Sequence, residues 1–252
     1  MAAPRPGYQR AGSSIAVANK TIVLVVGGHT GPGYEIVKTL TSLRSDYQIL
    51  LGCNEAHAGE QAASSMGAPS NVNPIQIDTA DDQSIDHGVK AIEQHFGRID
   101  ILINAGNYTG EEPANKGTGS RELWQRVFGV NVIGTALLTE RAMSLLEHSK
   151  GARIIFLGDE SASMSNAAGN SGTEDVSIAF SASKAAVNRL ALHYAAKYPN
   201  VVVNVTCPTK TSGSSMDGQA GATFDVSDAV RLATERQGST ATFTSKSGSI
   251  AW

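Results

Sequence analysis

The chain has 252 residues, of which 41% are hydrophobic and 17% are charged, with a formal net charge of -3 at pH 7. This length and composition suit one folded domain with a full hydrophobic core. The small negative charge gives no basis for nucleic acid or an anionic membrane as a partner, and no apolar run is long enough to span a bilayer. Residues 1–19 mix Pro, Gly, Ser and Arg without an apolar stretch, so we expect a disordered N-terminal tail before a domain over residues 20–252.

The two cysteines are far apart and lack the spacing of a metal site. Cys53 and Cys207 therefore read as reduced thiols in the core of a cytoplasmic protein, with no bound metal.

Apolar runs rich in β-branched residues alternate with helical patterns along the chain. In chain order we predict strand Thr21–Val26, helix Tyr34–Leu43, strand Gln48–Cys53, helix Ala56–Met66, strand Pro74–Ile77, helix Gln83–Phe96, strand Ile99–Ile103, helix Arg121–Glu147, strand Arg153–Leu157, helix Ile178–Lys197, strand Val201–Val205, helix Asp228–Arg236 and strand Thr240–Thr244. Continuous apolar strands separated by helices indicate a parallel sheet covered on both faces. Right-handed crossovers then give an α/β fold, a single doubly wound Rossmann-type domain whose parallel sheet has the seven strands named above.

Three segments fit no helix or strand: Asn107–Gly119, Ser161–Val176 and Thr209–Phe224. Each follows a predicted strand and is rich in Gly, Ser or Asn. We expect all three at the carboxyl edge of the sheet, where open α/β folds bind ligands.

The first strand leads into Gly27-Gly28-His29-Thr30-Gly31-Pro32-Gly33, and a helix follows. Glycines let the backbone approach a pyrophosphate closely, and the N-terminus of a helix stabilises its charge. A glycine-rich turn between a first strand and a first helix predicts a dinucleotide site rather than an ordinary tight turn.

Residues at the ends of later strands agree with this interpretation. Asp78 follows the third strand and is placed to accept a hydrogen bond from an adenine amino group, although it also suits a plain turn. Asn104-Ala105-Gly106 ends the fourth strand, where small side chains leave room for a ribose.

The order of these motifs, continued by Asn131, Lys184 and Pro208, resembles the short-chain dehydrogenase/reductase family over nearly the whole chain from about Lys20. The ending Gly248–Trp252 is similar to fungal members. The resemblance implies a small-molecule substrate, an NAD(P)(H) cofactor with Lys184 on the nicotinamide ribose, and a homodimer or homotetramer paired through the two long helices. It implies cofactor contacts at Gly27, His29, Thr30, Gly31, Pro32, Gly33, Asn54, Asp78, Thr79, Asn104, Ala105, Gly106, Lys184, Pro208, Thr209 and Thr211.

The end of the second strand bears on the choice of cofactor. An acid there binds a ribose 2′-hydroxyl and an Arg accommodates a 2′-phosphate, but this chain has Cys53-Asn54. The missing acid removes the repulsion against a phosphate, and His29 is a further donor unless it is simply a solvated loop histidine. We predict NADP(H) over NAD(H).

The catalytic positions depart from the family, which uses Asn, Ser, Tyr and Lys. Asn131 and Lys184 match; we expect Asn131 to hold a helix kink and orient a water near Lys184. The Ser position falls on Asp159, and the Tyr position falls on Phe180 in Phe180-Ser181-Ala182-Ser183-Lys184. Ser161 is an alternative match only if the strand register is lost.

These replacements exchange hydroxyl donors for a carboxylate and a phenyl ring. Ser and Tyr stabilise negative charge on a carbonyl oxygen, whereas an ionised Asp stabilises a cation and a phenyl ring offers it a π face. A cationic C=N bond accepts hydride without a proton donor. The leading hypothesis is therefore an NADP(H)-dependent reductase of an iminium substrate in secondary metabolism, with Asp159, Lys184, Asn131 and Phe180 as the catalytic set.

Reductase/Diels–Alderases of fungal alkaloid pathways, which derive from the same family, fit this description and add a cyclisation step. Arg121 or Arg126 is a candidate helper there, unless both are solvated helix charges, and Trp124 suits a substrate wall, a core or a dimer contact. The alternatives are a non-redox cyclase, a cofactor-binding protein without catalysis, and ordinary carbonyl reduction through Ser161 or water.

Overall fold

A computed structural model describes residues 19–110, 120–168, 177–211, 223–235 and 238–252. The strands are β1 Thr21–Val26, β2 Tyr47–Cys53, β3 Val72–Gln76, β4 Ile101–Asn104, β5 Arg153–Leu157, β6 Val202–Cys207, β7 Thr209–Thr211, β8 Thr223–Asp225, β9 Thr242–Ser245 and β10 Gly248–Ser249. The helices are α1 Gly31–Leu43, α2 Ala56–Ser65, α3 Asp82–Phe96, α4 Arg121–Phe128, α5 Thr135–Glu147, α6 Met164–Ala167, α7 Ile178–Lys197 and α8 Ser227–Thr234. A π-helical turn, Gly129–Gly134, joins α4 to α5, and a 3₁₀ turn, Glu160–Ala162, precedes α6.

The main sheet has the order β3-β2-β1-β4-β5-β6-β9-β10, which confirms the doubly wound α/β prediction. The predicted number of seven strands is wrong, because β10 adds an eighth, and it runs antiparallel to β9. A two-residue Gly-Ser strand carries no apolar pattern. The pairing of Gly248 with Ser245 and the hydrogen bond from Ile250 N to Phe243 O (2.8 Å) create it.

The core lies on both faces of the sheet, as the continuous apolar strands predict. In β1, Ile22, Leu24 and Val26 pack into one buried cluster, while Val23 and Val25 pack into the other. Alternate side chains of a strand point to opposite faces, so helices cover both sides.

Several element boundaries differ from the predictions. Helix α1 begins at Gly31 rather than Tyr34, because Pro32 is favourable in the first turn of a helix. The two predicted loops Ser161–Val176 and Thr209–Phe224 are wrong in part, since the first opens with the 3₁₀ turn and α6, and the ends of the second pair as β7 and β8. Residues 1–18, 111–119, 169–176, 212–222 and 236–237 lie outside the described residues, and with them the remaining parts of the predicted loops and the end of the predicted helix Asp228–Arg236.

Both thiols are buried and free, and burial raises the pKa of Cys53 to about 11. Among the described helices, none is long and apolar enough to cross a membrane.

Candidate functional site

The carboxyl ends of five neighbouring parallel strands share one edge of the sheet. Val26 of β1 pairs with Gly52 and Asn104, and Leu157 of β5 pairs with Thr206. The predicted site residues that follow these strands therefore lie along this edge, at Gly27, Asn54, Ala105, Asp159 and Pro208. From β1 the chain adds β2 and β3 on one side of the sheet, and then returns to add β4, β5 and β6 on the other side. The gap between β1 and β4 is therefore the topological switch point, where open α/β sheets bind ligands.

The glycine loop packs tightly against the end of β4. Gly27 has a φ of +75°, and a Cβ added there would lie 2.6 Å from the Cα of Gly106. A Cβ on Gly33 would lie 2.3 Å from the carbonyl oxygen of Gly27. Only glycine fits these two positions, so the loop turns sharply and brings the N-terminus of α1 to the sheet edge.

Two glycines at the same edge leave room for a methyl group. A Cβ on Gly106 would come into ordinary van der Waals contact with Thr79 and Val26 at 3.8 Å, and one on Gly31 would meet no atom closer than 3.9 Å. Uncrowded backbone beside a glycine loop and a helix N-terminus suits a dinucleotide.

We expect Gly106→Ala to keep the fold and weaken the affinity for NADPH about tenfold, because a methyl group fits the protein but occupies this space. Thermal unfolding and calorimetric titration measure the two effects. Gly151→Ala is the matched control, since Gly151 also has open space but lies away from the edge. Equal affinities of both variants for NADPH would contradict the assignment of the space.

His29 lies half-buried in the loop, and its Nδ1 is buried without a hydrogen-bond partner among the described residues. Burial lowers the pKa of His29, while the Gly52 backbone and the charge of Glu55 oppose that shift. The imidazole is therefore neutral near pH 7, with an unused ring nitrogen. Thr30 precedes α1 and is exposed, and Pro32 stands in its first turn.

The other predicted cofactor residues already make protein contacts. Asp78 Oδ1 accepts from Ala80 N (2.9 Å), as in a turn aspartate, and Asn54 Oδ1 accepts from Glu55 N (3.1 Å). Asn104 Nδ2 donates to Thr139 Oγ1 (3.2 Å). Their contacts to a cofactor, and those of Thr79, Pro208, Thr209 and Thr211, stay predictions.

Helix α7 places Phe180 and Lys184 one turn apart, and both are buried. Lys184 Nζ donates to the carbonyl oxygen of Leu157 (2.8 Å) and lies 5.6 Å from the centre of the Phe180 ring. Burial lowers the pKa of Lys184 to about 8, and the negative charge of Asp159 opposes that shift. The ammonium keeps further hydrogens for other acceptors, since it has three donors.

Asn131 lies in the π-helical turn and is 1% exposed. Its Oδ1 accepts from Tyr108 N (2.8 Å), and its Nδ2 donates to Tyr108 O (3.0 Å) and to Ser183 Oγ (3.0 Å). The amide thus joins the chain after β4 to α7. Both hydrogens of Nδ2 are used in this way, so Asn131 positions the backbone around Lys184.

Asp159 follows β5 and is half-buried. Its Oδ1 accepts from Ser161 N (2.9 Å), which caps the 3₁₀ turn. Ser161 Oγ accepts from Ser181 Oγ (3.0 Å), so the alternative catalytic serine is a partner of the residue that follows Phe180.

The sequence reasoning missed the roles of Ser183, Ser181 and Tyr108. Ser183 and Ser181 lie within the motif between Phe180 and Lys184, so their position in the sequence could have indicated a role at the site.

The two candidate arginines remain unassigned: the Arg126 guanidinium lies 4.4 Å from the centre of the Tyr108 ring, and Arg121 is exposed. Trp124 stacks on Phe128, with ring centres 5.7 Å apart.

The fold defines a Rossmann-type protein, and the glycine loop at this edge suits a dinucleotide. The family described as short chain dehydrogenase matches residues 21–223, and the chain belongs to this family. Its members are generally oxidoreductases that bind nicotinamide cofactors.

Several similar proteins come from fungi. The chain is 32% identical to short-chain dehydrogenase/reductase tropE of Talaromyces stipitatus over 148 residues, covering 57% of this chain and 54% of that protein. It is 29% identical to eupG of Phoma sp over 207 residues, covering 74% of both, and 30% identical to ATR10 of Stachybotrys chlorohalonatus over 194 residues, covering 75% of this chain and 70% of the other. The chain thus spans about half the length of tropE and about three quarters of eupG.

Solved structures agree on the fold. Salutaridine reductase from Papaver somniferum matches 89% of this chain and 99% of its own with a TM-score of 0.74 and 21% identity. Menthone neomenthol reductase from Mentha piperita matches 90% of this chain and 98% of its own, with a TM-score of 0.71 and 22% identity.

Proposed function

We propose that this chain is an NADP(H)-dependent oxidoreductase of fungal secondary metabolism that transfers hydride to a cationic C=N bond. The observation that carries the proposal is the pair Asp159 and Phe180 beside Lys184. The Asp159 carboxylate, whose charge partly offsets the lowering of the Lys184 pKa, stands where the family has a serine hydroxyl. The buried phenyl ring of Phe180 stands where the family has a tyrosine phenol. A coupled cyclisation stays a prediction.

The residues of the site have separate roles in this proposal. When bound, the nicotinamide supplies the hydride. The glycine loop and the N-terminus of α1 would hold the pyrophosphate, and Lys184, fixed by the Leu157 carbonyl, would bind the nicotinamide ribose. Asn131 keeps α7 and the chain after β4 in register around this lysine.

Asp159 provides the charge that favours a cationic substrate. Because Lys184 already lies over the Phe180 ring, the ring mainly forms an apolar wall and excludes a proton donor. Stabilisation of the substrate cation therefore depends on Asp159, whose charge acts strongly in a partly dehydrated site. Addition of hydride to the carbon of an iminium ion gives a neutral amine, so no proton has to be delivered.

The direct test compares substrates. With NADPH, purified protein should reduce cyclic iminium salts such as N-methyl-3,4-dihydroisoquinolinium and leave matched cyclic ketones unchanged, as followed by loss of NADPH absorbance and by mass spectrometry. Turnover of ketones alone would contradict the proposal. Product that forms equally with NADP⁺ and NADPH, from a substrate that is able to cyclise, would show a non-redox cyclase. Stabilisation by cofactor without any turnover would show a binding protein.

The preference for NADP(H) is supported by Asn54, which stands directly after β2 in place of an acid, and by the Nδ1 of His29, which has no partner among the described residues. The negative charge of Glu55, which reaches His29, acts against a phosphate there. We expect NADPH to raise the unfolding temperature more than NADH, because ligand binding stabilises the folded state in proportion to affinity. His29→Ala should reduce the shift with NADPH only.

The expected pH dependence follows from the histidine. Protonation adds a positive charge, so the difference between NADPH and NADH should grow as pH falls through the pKa of His29, which burial places below the ordinary histidine value of about 6.5. His57→Ala is the control, since His57 is an exposed histidine of α2. If His29→Ala reduced the unfolding-temperature shifts with NADPH and NADH equally, His29 would support the conformation of the loop and would not contact the 2′-phosphate.

Pairing of subunits through the helices of residues 121–147 and α7 remains part of the proposal. Ile133 and Ile178 on these helices are 59% and 70% exposed, which favours burial against a second copy.

A further inference from the structure

The chain that follows β10 is bonded to the segment that carries Asp159. Ser163 Oγ donates to the carbonyl oxygen of Ala251 (2.7 Å), and Ser163 is 1% exposed. Ser165 donates to the carbonyl oxygen of Trp252 through its backbone N (3.2 Å) and its Oγ (2.8 Å). These bonds fix the start of α6 to residues 251 and 252.

The Trp252 ring anchors this contact to the sheet. It packs on Phe243 of β9 with ring centres 5.4 Å apart, and it lies against the larger buried cluster. Residues 251 and 252 therefore connect β9 to the segment after β5.

A continuous series of hydrogen bonds leads from Ser163 back to Asp159. Ser163 N donates to Glu160 O (3.1 Å), Ala162 N donates to Asp159 O (3.0 Å), and Ser161 N donates to Asp159 Oδ1 (2.9 Å). The direction of the carboxylate thus depends on the 3₁₀ turn, and the turn depends on where Ser163 is held.

A second tether holds the opposite side of the turn. Ser181 Oγ donates to Ser161 Oγ (3.0 Å), which links the turn to α7 next to Phe180. With one tether to α7 and one to the C-terminal residues, the turn is fixed at both ends.

We propose that Ala251 and Trp252 are positioning residues for Asp159, holding the 3₁₀ turn so that the carboxylate stays beside Lys184 and the substrate cation. The catalytic meaning of this position rests on the proposed function. The positioning itself is a property of the folded chain, and it is measured without substrate.

Trp252→Ala removes the ring anchor, Trp252→Phe keeps an aromatic ring, and Ser165→Ala removes one bond at an exposed residue with little risk to folding. Ser42→Ala is the matched control, because Ser42 is an exposed helical serine that bonds only to Lys38 O among the described contacts. Each variant is compared with the wild type by amide hydrogen exchange and by NMR titration of the Lys184 side chain.

We expect exchange over residues 159–166 to become about tenfold faster in Trp252→Ala and severalfold faster in Ser165→Ala, because the freed turn opens more often. The pKa of Lys184 should fall in both, toward its value in Asp159→Asn, because a displaced carboxylate no longer favours the charged lysine. Trp252→Phe should restore both values, and Ser42→Ala should change neither.

Unchanged exchange at residues 159–166 and an unchanged Lys184 pKa in both Trp252→Ala and Ser165→Ala would overturn the proposal. Faster exchange that is equal in β9 and in residues 159–166 would also overturn it, since the ring would then only stabilise the sheet. If both quantities change as expected while the wild type reduces no iminium salt, the positioning stands and the proposed function fails.

Discussion

Asp159→Asn should lower kcat/KM for a cationic imine by about 100- to 1000-fold, the range that follows removal of one well-placed electrostatic group from an active site. The substitution keeps the size of the side chain and an oxygen that accepts from Ser161 N, so the 3₁₀ turn should persist. Only the negative charge is lost. Steady-state kinetics with NADPH and an iminium salt measure the effect, and calorimetric titration should show unchanged affinity for NADPH.

Glu160→Gln provides the matched control. Glu160 is the next residue, is exposed, and would lose the same charge outside the site. Equal kinetics for Asp159→Asn and the wild type would remove the basis for cation stabilisation. Equal losses in the two variants would point to long-range attraction of the substrate rather than to a specific contact.

Lys184→Met should change how stability depends on pH. Burial lowers the pKa of Lys184 from 10.5 to about 8, so between these values the unfolded chain binds more protons than the folded chain. Wild-type stability therefore gains a contribution as pH rises through this window, and the methionine variant lacks it. At pH 7 the buried charge costs the wild type on the order of 3 kcal/mol, and this pH-dependent part of the difference between the two proteins should be nearly gone near pH 10.5.

Urea unfolding of both proteins at several values between pH 7 and pH 10.5 measures this trend. Lys90→Met removes an exposed lysine of α3 and should give a difference from wild type that is independent of pH. A difference between wild type and Lys184→Met that stays constant over the window would show that the lysine is hydrated in the folded protein.

The sequence predicted the parts of the molecule that depend on local pattern. Continuous apolar strands predicted the parallel sheet, and the glycines around the start of α1 predicted the loop, whose tight packing requires glycine at positions 27 and 33. Asp159 and Phe180 were located by their spacing from β5 and Lys184. Each of these features depends on residues within a short stretch of the chain.

Features that depend on distant contacts were not predictable in this way. The strand β10 exists only through its pairing with β9, and its two residues have no periodic signal. The bonds of Ser163 and Ser165 to residues 251 and 252 join positions almost ninety apart in the chain. A serine carries no pattern that identifies such a partner.

The π-helical turn at Gly129–Gly134 changes the rotational phase of a long helix. Each residue of an α-helix turns by about 100°, so a wider turn shifts every later side chain around the axis. Asn131 therefore faces Ser183 of α7, while Leu138 and Ala142 enter the buried cluster under the sheet. Deleting one residue from this turn would restore a uniform α-helix but rotate α5 about its axis. The Asn131 amide and the apolar side chains of α5 could then no longer face Ser183 and the buried cluster at the same time.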